Sequence, residues 1–399
     1  MFSDIIQKTN SLYAAFDRFP SSKGAAAHMY HFVSTLFEFF DGGLLYTAGS
    51  PGLPSLQYDG NSQHIRSSYY EKNYLLRALA HCRTLEHIMP VIVSDCKLAH
   101  FRDPWSGGAI CNVSTSTMPL VYEVNGFPSI ELLDLYPDIQ PHTIDRIIKL
   151  EQMCLDRANV IVTPSRVTAA CIEKRSIDKS KIRVIPNGAE IRDDHAERIE
   201  QLPLRYIVYF GALQKWQGVD LLIKAFSQLR DFEDVYLVIC SSVNRKKVDG
   251  YSKFARKAGC ADRIIWMNEL DKNELYRVIA NAQFTVAPLR DVRRNVEQGC
   301  CPLKILESMA AGTPVIASNL PVVNELFEDG VHGMKIRSDR HEALAQAMRV
   351  FLEYPALVNG MRLECKEHVR KNFSWKKSCS QLIDVYDEFS NSAIMIRAS

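Results

Sequence analysis

The chain has 399 residues, a length that suits two hydrophobic cores better than one. Its 48 basic and 46 acidic side chains leave a formal charge of +2, which provides no long-range field for nucleic acid. No apolar run approaches the roughly 20 residues that cross a bilayer, and the opening MFSDIIQKTN lacks a basic region followed by an apolar core, so a cytoplasmic enzyme is expected.

In chain order, apolar strands are expected near Leu12–Phe16, Gly43–Ala48, Val91–Ser94, Leu120–Val124 and Val160–Thr163, with helices over Ala25–Phe40, Tyr70–His87 and His142–Ala158. Ile182–Ile191 is a further apolar strand ending in turn residues. The charged DDHAERIEQLP closes at Pro203 and reads as a linker between residues 1–192 and 203–375. A second alternation follows through Tyr206–Phe210, Val235–Cys240, Ile264–Trp266, Phe284–Ala287 and Val315–Ala317. Trp375–Phe389 has helical periodicity. Strands alternating with helices point to an α/β architecture of parallel sheets covered on both faces.

The run from Gly299 to Ser318, GCCPLKILESMAAGTPVIAS, joins a helix start to a buried strand. Pro302 suits the first helical position, and Gly299 lets the backbone approach a ligand. Unpaired N–H groups and the positive helix end then face an anion, with Lys304 in the first turn. Ile305, Leu306, Met309 and Ala310 form an apolar face, Gly312 fits a left-handed cap, and Pro314 stops the helix. Glu307 departs from this pattern. It is either a solvated surface carboxylate or an acceptor for the hydroxyls of a ribose. Tyr206–Phe210 likewise runs into a glycine-containing turn, Gly211–Gly218, whose backbone and Lys215 suit a diphosphate. The 11 cysteines are scattered, with only Cys300 and Cys301 adjacent. Neither a disulfide framework nor a zinc spacing is present, so free thiols, no metal and no other cofactor are expected.

Taken in order, VIVTPS, IRVIPNGAEI, YIVYFGALQKWQGVDLLIKAF and the Gly299–Ser318 run resemble the retaining glycosyltransferases of family four, the glycosyl transferases group 1. The resemblance implies the GT-B fold: two facing Rossmann-like domains with parallel sheets and an interdomain cleft. Residues 1–192 would hold the acceptor and 203–375 the nucleotide sugar, with a helix over 376–399 returning to the first domain. The implied partners are a nucleoside diphosphate sugar donor and a hydroxyl acceptor, with no nucleic acid. A lipid-linked acceptor would add peripheral membrane contact. Glu307 becomes the ribose ligand, and Gly211, Lys215, Gly299, Cys300, Cys301, Pro302, Leu303 and Lys304 surround the diphosphate. The Arg290, Arg293 and Arg294 group is either a solvated basic loop or, through Arg293 first, joins Lys215 and Lys304 in neutralising the leaving group. The chain departs from the family at several positions. The first of two family glutamates falls on Gly299, with Glu297 out of register, and the phosphate-loop Arg and Lys fall on Ala212 and Gln217.

In the first half the resemblance places Gly24–Ala25 in the turn facing the cleft, keeping one of two family glycines, with Gly24 toward the donor. Lys23 beside it faces phosphate or acceptor, or is a solvated loop residue. Glu123 and Arg102 are the other expected acceptor contacts, with Arg102 and Asp103 either lining the cleft or forming a structural pair. His28 and His31, three apart on a helix, fit a cleft or surface face. Many relatives carry histidine where Asn125 stands. An amide hydrogen-bonds a sugar hydroxyl but cannot act as a base. The implied chemistry is attack from the face that the diphosphate leaves, a donor phosphate oxygen taking the acceptor proton, with Lys215, Lys304 and Asn125 as the catalytic set. Competing readings are a GT-B nucleotide-sugar epimerase, which needs acid and base groups at Asn125, and a non-catalytic subunit that binds the nucleotide sugar.

Overall fold

The computed structural model describes residues 6–21, 24–68, 70–114, 118–193, 196–241 and 245–397. Lys23, and Asp194 and His195 of the expected linker, lie outside the described residues. The chain divides into two compact units, Met1–Pro186 with Ser378–Ser399, and Asn187–Lys377. The division falls ahead of the charged stretch read as a linker, which belongs to the second unit. Arg277 donates to the Glu197 and Arg198 carbonyls at 2.9 and 3.2 Å, Asn281 Nδ2 donates to the Ala196 carbonyl at 3.1 Å, and Leu202 is buried. Among the described residues no helix is long and apolar enough to cross a membrane.

The first unit is built on β1 (Ser11–Arg18), β2 (Gly43–Ala48), β3 (Leu56–Asp59), β4 (Ser62–Ser67), β5 (Leu98–Phe101), β6 (Leu120–Glu123), β7 (Val160–Thr163) and β8 (Ile182–Val184). They form one sheet in the order β3-β4-β2-β1-β5-β6-β7-β8, parallel apart from the β3–β4 hairpin. Central strands such as β2, β6 and β7 are buried along their whole length, as parallel strands covered on both faces must be. Two expectations change here. Val91–Ser94 is not a strand: the helix Tyr74–Ile92 continues past Pro90, and Val93 N–H still reaches the Met89 carbonyl at 3.0 Å. Pro90 costs the last turn one hydrogen bond, too little to stop a helix anchored by Ile88, Met89 and Ile92. The neighbouring strand is β5, LAHF, whose apolar pattern His100 interrupts. The helix also starts late, at Tyr74, because the Asn73 side chain caps it by accepting from Leu75 and Leu76 N–H.

The second unit carries β9 (Arg205–Phe210), β10 (Val235–Ser241), β11 (Ile264–Asn268), β12 (Thr285–Ala287), β13 (Val315–Ser318) and β14 (Gly333–Ile336). Their order is β11-β10-β9-β12-β13-β14, wholly parallel. Chain direction across each sheet reverses once, between β1 and β5 in the first and between β9 and β12 in the second. In open parallel sheets the crevice outside the carboxyl ends of such a strand pair is where ligands bind.

Candidate active site

At the carboxyl end of β9 the chain turns through Gly211, with φ 124°, and through a short 3-10 segment, Lys215–Gln217, to Gly218, with φ 70°. A side chain at Gly218 would meet the Pro288 carbonyl oxygen at 1.9 Å, so this backbone approach requires glycine. The loop after β12 is fastened to the same turn. Arg290 N–H donates to the Trp216 carbonyl at 3.0 Å, and the buried Asn295 amide bridges the Trp216 and Arg290 carbonyls at 3.1 and 2.8 Å.

This loop leads through one π-helical turn, Arg294–Gln298, and Gly299 into the helix Leu303–Ala310. Pro302 is the cap residue and Leu303 the first helical one, a shift of one position from expectation. No side chain caps this end, so its first N–H groups remain for a ligand. Ile305, Leu306, Met309 and Ala310 are buried, and buried Ser308 donates to the Thr313 carbonyl at 2.7 Å, which fixes the helix on the sheet. Gly312 holds φ 73° at its far end.

Lys304 is the cation that the structure brings to this point. Its Nζ donates to Gln217 Oε1 at 2.6 Å and to the Tyr209 hydroxyl at 3.1 Å, and it lies 3.2 Å from where a Cβ on Gly211 would stand. Tyr209 in turn donates to the Ala212 carbonyl at 2.6 Å, so the lysine and the turn share one hydrogen-bond system. Burial lowers the Lys304 amine from 10.5 to about 7 and raises the Glu307 carboxyl, one turn along the helix, from 4.5 to about 7, each partly offset by the other's charge.

The other expected donor contacts are placed differently. Lys215 is exposed on the turn. Arg293 forms an exposed ion pair with Glu297 at 3.0 Å, while Arg294, next in sequence, lies over the Trp216 ring at 5.1 Å and is close enough to Lys304 to depress its amine further. Arg290 is paired with Asp220 and Asp339. Cys301 is buried, its thiol pushed up to about 12 by burial, and its carbonyl accepts from Asn187 at 3.0 Å; Cys300 is half-buried. Gly299, with φ 85° and ψ 168°, adopts a conformation that only glycine readily holds. Sequence reasoning missed Tyr209 and Gln217, and counted Arg294 only as one of the Arg290, Arg293 and Arg294 group. Gln217 was legible only as the loss of a family lysine, not as a partner of Lys304.

In the first unit, Gly24 begins the helix Gly24–Phe40 instead of sitting in the preceding turn. Arg102 follows β5, Glu123 ends β6, and Asn125 lies just beyond. The structure brings these together around one carboxylate. Glu123 is 1% exposed; Tyr13 donates its hydroxyl at 2.7 Å, and His28, His100 and Arg102 stand 2.8, 3.3 and 3.2 Å away. Burial alone would raise this carboxyl, but neighbouring His28 and Arg102 outweigh it and hold it well below the usual range. Asn125 Nδ2 also donates to Glu123, which turns the amide oxygen away from the carboxylate.

Glu123 therefore positions Asn125 and is not placed to touch an acceptor itself. Arg102, its side chain 9% exposed, ties the helix start down by donating to the Ala25 carbonyl at 3.1 Å. Arg102 and Asp103 do not form the pair considered from sequence. Asp103 caps the helix Pro104–Val113, accepting from Ser106 N–H at 2.8 Å, and Arg102 turns to Glu123 and Asp17. His28 faces this core and not the surface.

Two Rossmann-like units, the second with a glycine turn, an uncapped helix start and a lysine converging at its strand reversal, are those of the GT-B fold. A family model described as Glycosyl transferases group 1 matches residues 190–372, and one described as Glycosyltransferase Family 4 matches residues 24–192. The chain belongs to this glycosyltransferase family. Among similar proteins, a D-inositol 3-phosphate glycosyltransferase of Corynebacterium aurimucosum is 25% identical over 67% of this chain and 66% of its own length. One from Salinispora tropica is 24% identical over 68% and 59%. The matches thus span somewhat less than two thirds of these relatives. Among solved structures, sucrose-phosphate synthase from Thermosynechococcus elongatus has a TM-score of 0.77 at 16% identity, covering 96% of this chain and 100% of its own. Anabaena HepE in complex with UDP and glucose has a TM-score of 0.72 at 14% identity, covering 95% and 100%.

Proposed function

We propose that the protein is a retaining glycosyltransferase that moves a sugar from a nucleoside diphosphate sugar to a hydroxyl acceptor. The observation that carries this reading is Lys304, held against Gly211 at an uncapped helix start, with Glu307 one turn further on. HepE structures with UDP and UDP-glucose, and relatives named for transfer to a phosphorylated inositol, support it. As the diphosphate leaves, negative charge grows on its bridging oxygen. The Lys304 ammonium and the helix N–H groups meet that charge, while the donor's own phosphate oxygen takes the acceptor proton. Asn125, fixed by Glu123, offers an acceptor oxygen to a sugar hydroxyl, so the protein supplies position and charge and no strong base.

Glu307 tests the donor half of this reading. A carboxylate receiving two ribose hydroxyls contributes roughly 2–4 kcal/mol, since each charge-assisted bond is worth about 1.5–3 kcal/mol before non-additivity. Glu307→Ala should weaken binding of UDP at least tenfold in calorimetric titration. An unchanged dissociation constant in a folded variant returns Glu307 to a surface role.

The two displaced ionisations predict a pH optimum for donor binding. Above pH 7 Lys304 is largely neutral in the free protein, and the diphosphate must recharge it, so binding takes up a proton and weakens as pH rises toward 10.5. Below pH 7 Glu307 is largely protonated, and accepting ribose hydroxyls requires ionisation, so binding releases a proton and weakens as pH falls toward 4.5. Affinity for UDP-glucose should peak near pH 7. Calorimetry in two buffers of different ionisation enthalpy should show uptake at pH 8.5 and release at pH 5.5; proton exchange of one sign at both pH values contradicts the assignment.

One observation favours a second reading, a subunit that binds the nucleotide sugar without turning it over. The backbone at Gly299 holds a conformation that strains any side chain, the family's first carboxylate included, and Glu297 is engaged with Arg293. Slow hydrolysis or transfer from UDP-glucose by the purified chain excludes that reading.

A further inference from the structure

Away from the β1–β5 reversal, the first unit holds a cavity of about 690 Å³ beside the β3–β4 hairpin, lined by Ser50, Ser55, Ser68, Leu56, Ile65 and Arg66 among others. No carboxylate lines it among the described residues. Arg66 is only 6% exposed, and its described hydrogen bonds all go to uncharged acceptors: Nε to the Phe19 carbonyl at 3.2 Å, Nη1 to the Pro54 carbonyl at 2.9 Å and Nη2 to Gln57 Oε1 at 3.3 Å. A guanidinium has five N–H donors, so these bonds leave one on each terminal nitrogen for an oxyanion. A buried positive charge without a counterion is costly, and a bound anion removes that cost. Burial lowers the Arg66 side chain's affinity for its proton, with no neighbouring carboxylate to oppose it.

We propose that this cavity binds an oxyanion, a phosphate or carboxylate, with Arg66 as its charged ligand and the serine hydroxyls completing its coordination. Ser50 follows β2, and Ser67 ends β4 ahead of Ser68, so the cavity opens on the same carboxyl edge of the sheet as Gly24 and Arg102. β4 is two strands from β1, roughly 10 Å at the usual interstrand spacing. That span is about the size of a small sugar or polyol carrying a charged substituent. Resting on the transferase reading, the oxyanion is the charged group of the acceptor.

The test is calorimetric titration of the full chain with inorganic phosphate, and separately with acetate, both in saturating UDP so that the donor pocket is filled. Wild type should bind at least one of the two, and which binds more tightly tells phosphate from carboxylate. Gln57→Glu keeps an exposed acceptor for Nη2 while giving Arg66 a counterion, so it should weaken that anion at least tenfold and leave UDP affinity unchanged. Absence of binding by either anion to the wild type, or equal binding by Gln57→Glu, overturns the proposal. Loss of UDP binding in the wild type would instead count against the donor reading; the anion titration, then run without UDP and on the Lys304→Met background, still decides the role of Arg66 through the Gln57→Glu comparison. With pairs of hydroxyl acceptors differing by one charged group, wild type should favour the charged member and Gln57→Glu should lose the preference; equal preference in both removes the acceptor assignment.

Discussion

Lys304→Met is expected to lower turnover about a hundredfold, corresponding to about 3 kcal/mol of lost transition-state stabilisation, while weakening donor binding far less. The lysine amine sits between Gln217 and Tyr209 with its ordinary basicity depressed to about 7, so in the resting site its charge is only half present at neutral pH. As the glycosidic bond to the diphosphate breaks, the growing negative charge makes the ammonium more favourable still than it is with intact donor, and such an interaction lowers the barrier by more than it stabilises the bound ground state. Methionine keeps the length and the helix propensity while removing the ammonium that stands 4.2 Å from the centre of the Tyr209 ring. It also removes a charge whose burial is unfavourable, so the variant should be at least as stable as wild type. Steady-state kinetics at saturating donor and a donor titration separate the two effects. A turnover within threefold of wild type removes Lys304 from the chemistry, and Arg294 over Trp216 becomes the next residue to replace.

Glu123→Gln is expected to be the most destabilising single change in the first unit, by about 3–5 kcal/mol, because it leaves Arg102, its side chain 9% exposed, without its closest counterion. The amide nitrogen also presents donors where wild type presents only acceptors, either toward Tyr13 and His100 or toward His28, Arg102 and Asn125. Hydrogen exchange of the amides in β5 and β6 should accelerate by roughly a hundredfold or more, since those strands carry the cluster. In wild type the carboxyl is depressed, so its contribution is fully present above pH 4.5 and is lost only as pH falls through its lower folded-state value. The gap in protection between wild type and variant should therefore be constant above pH 4.5 and narrow in acid. Equal protection at pH 7 means the cluster contributes nothing to stability, and restoration by a second change, Arg102→Met, identifies the stranded guanidinium as the cause.

The helix Leu303–Ala310 was legible in the sequence because everything that defines it is local. Gly299, Pro302, the apolar spacing from Ile305 to Ala310, and Gly312 lie within one short run, and Lys304 and Glu307 fall where that run places them. The Glu123 cluster was not legible, since its members come from β1, the Gly24–Phe40 helix, β5 and β6, and Tyr13 alone is 110 residues from Glu123. Proximity of that kind is a product of strand order, which no local pattern records. Within the Arg290, Arg293 and Arg294 group it is Arg294, the first residue of the π-helical turn, that lies over Trp216, a distinction between neighbours that no local pattern carries. The hairpin β3–β4 escaped because its strands, LQYD and SQHIRS, are too polar to read as strands. Only the Asp59–Gly60 turn between them carried a signal.

The backbone at Gly299 bears on how freely this site can change. A single substitution to glutamate would put a carboxylate where related enzymes carry one, but at φ 85° and ψ 168° a side chain costs about 1–3 kcal/mol in strain. Recovering the missing group therefore demands coordinated rewriting of the turn from Gln298 to Pro302, with every single-step intermediate less stable than the start. Mutational drift and directed evolution alike should find new sugar preferences by altering side chains around Lys304 and Trp216, and a laboratory library confined to position 299 should return glycine.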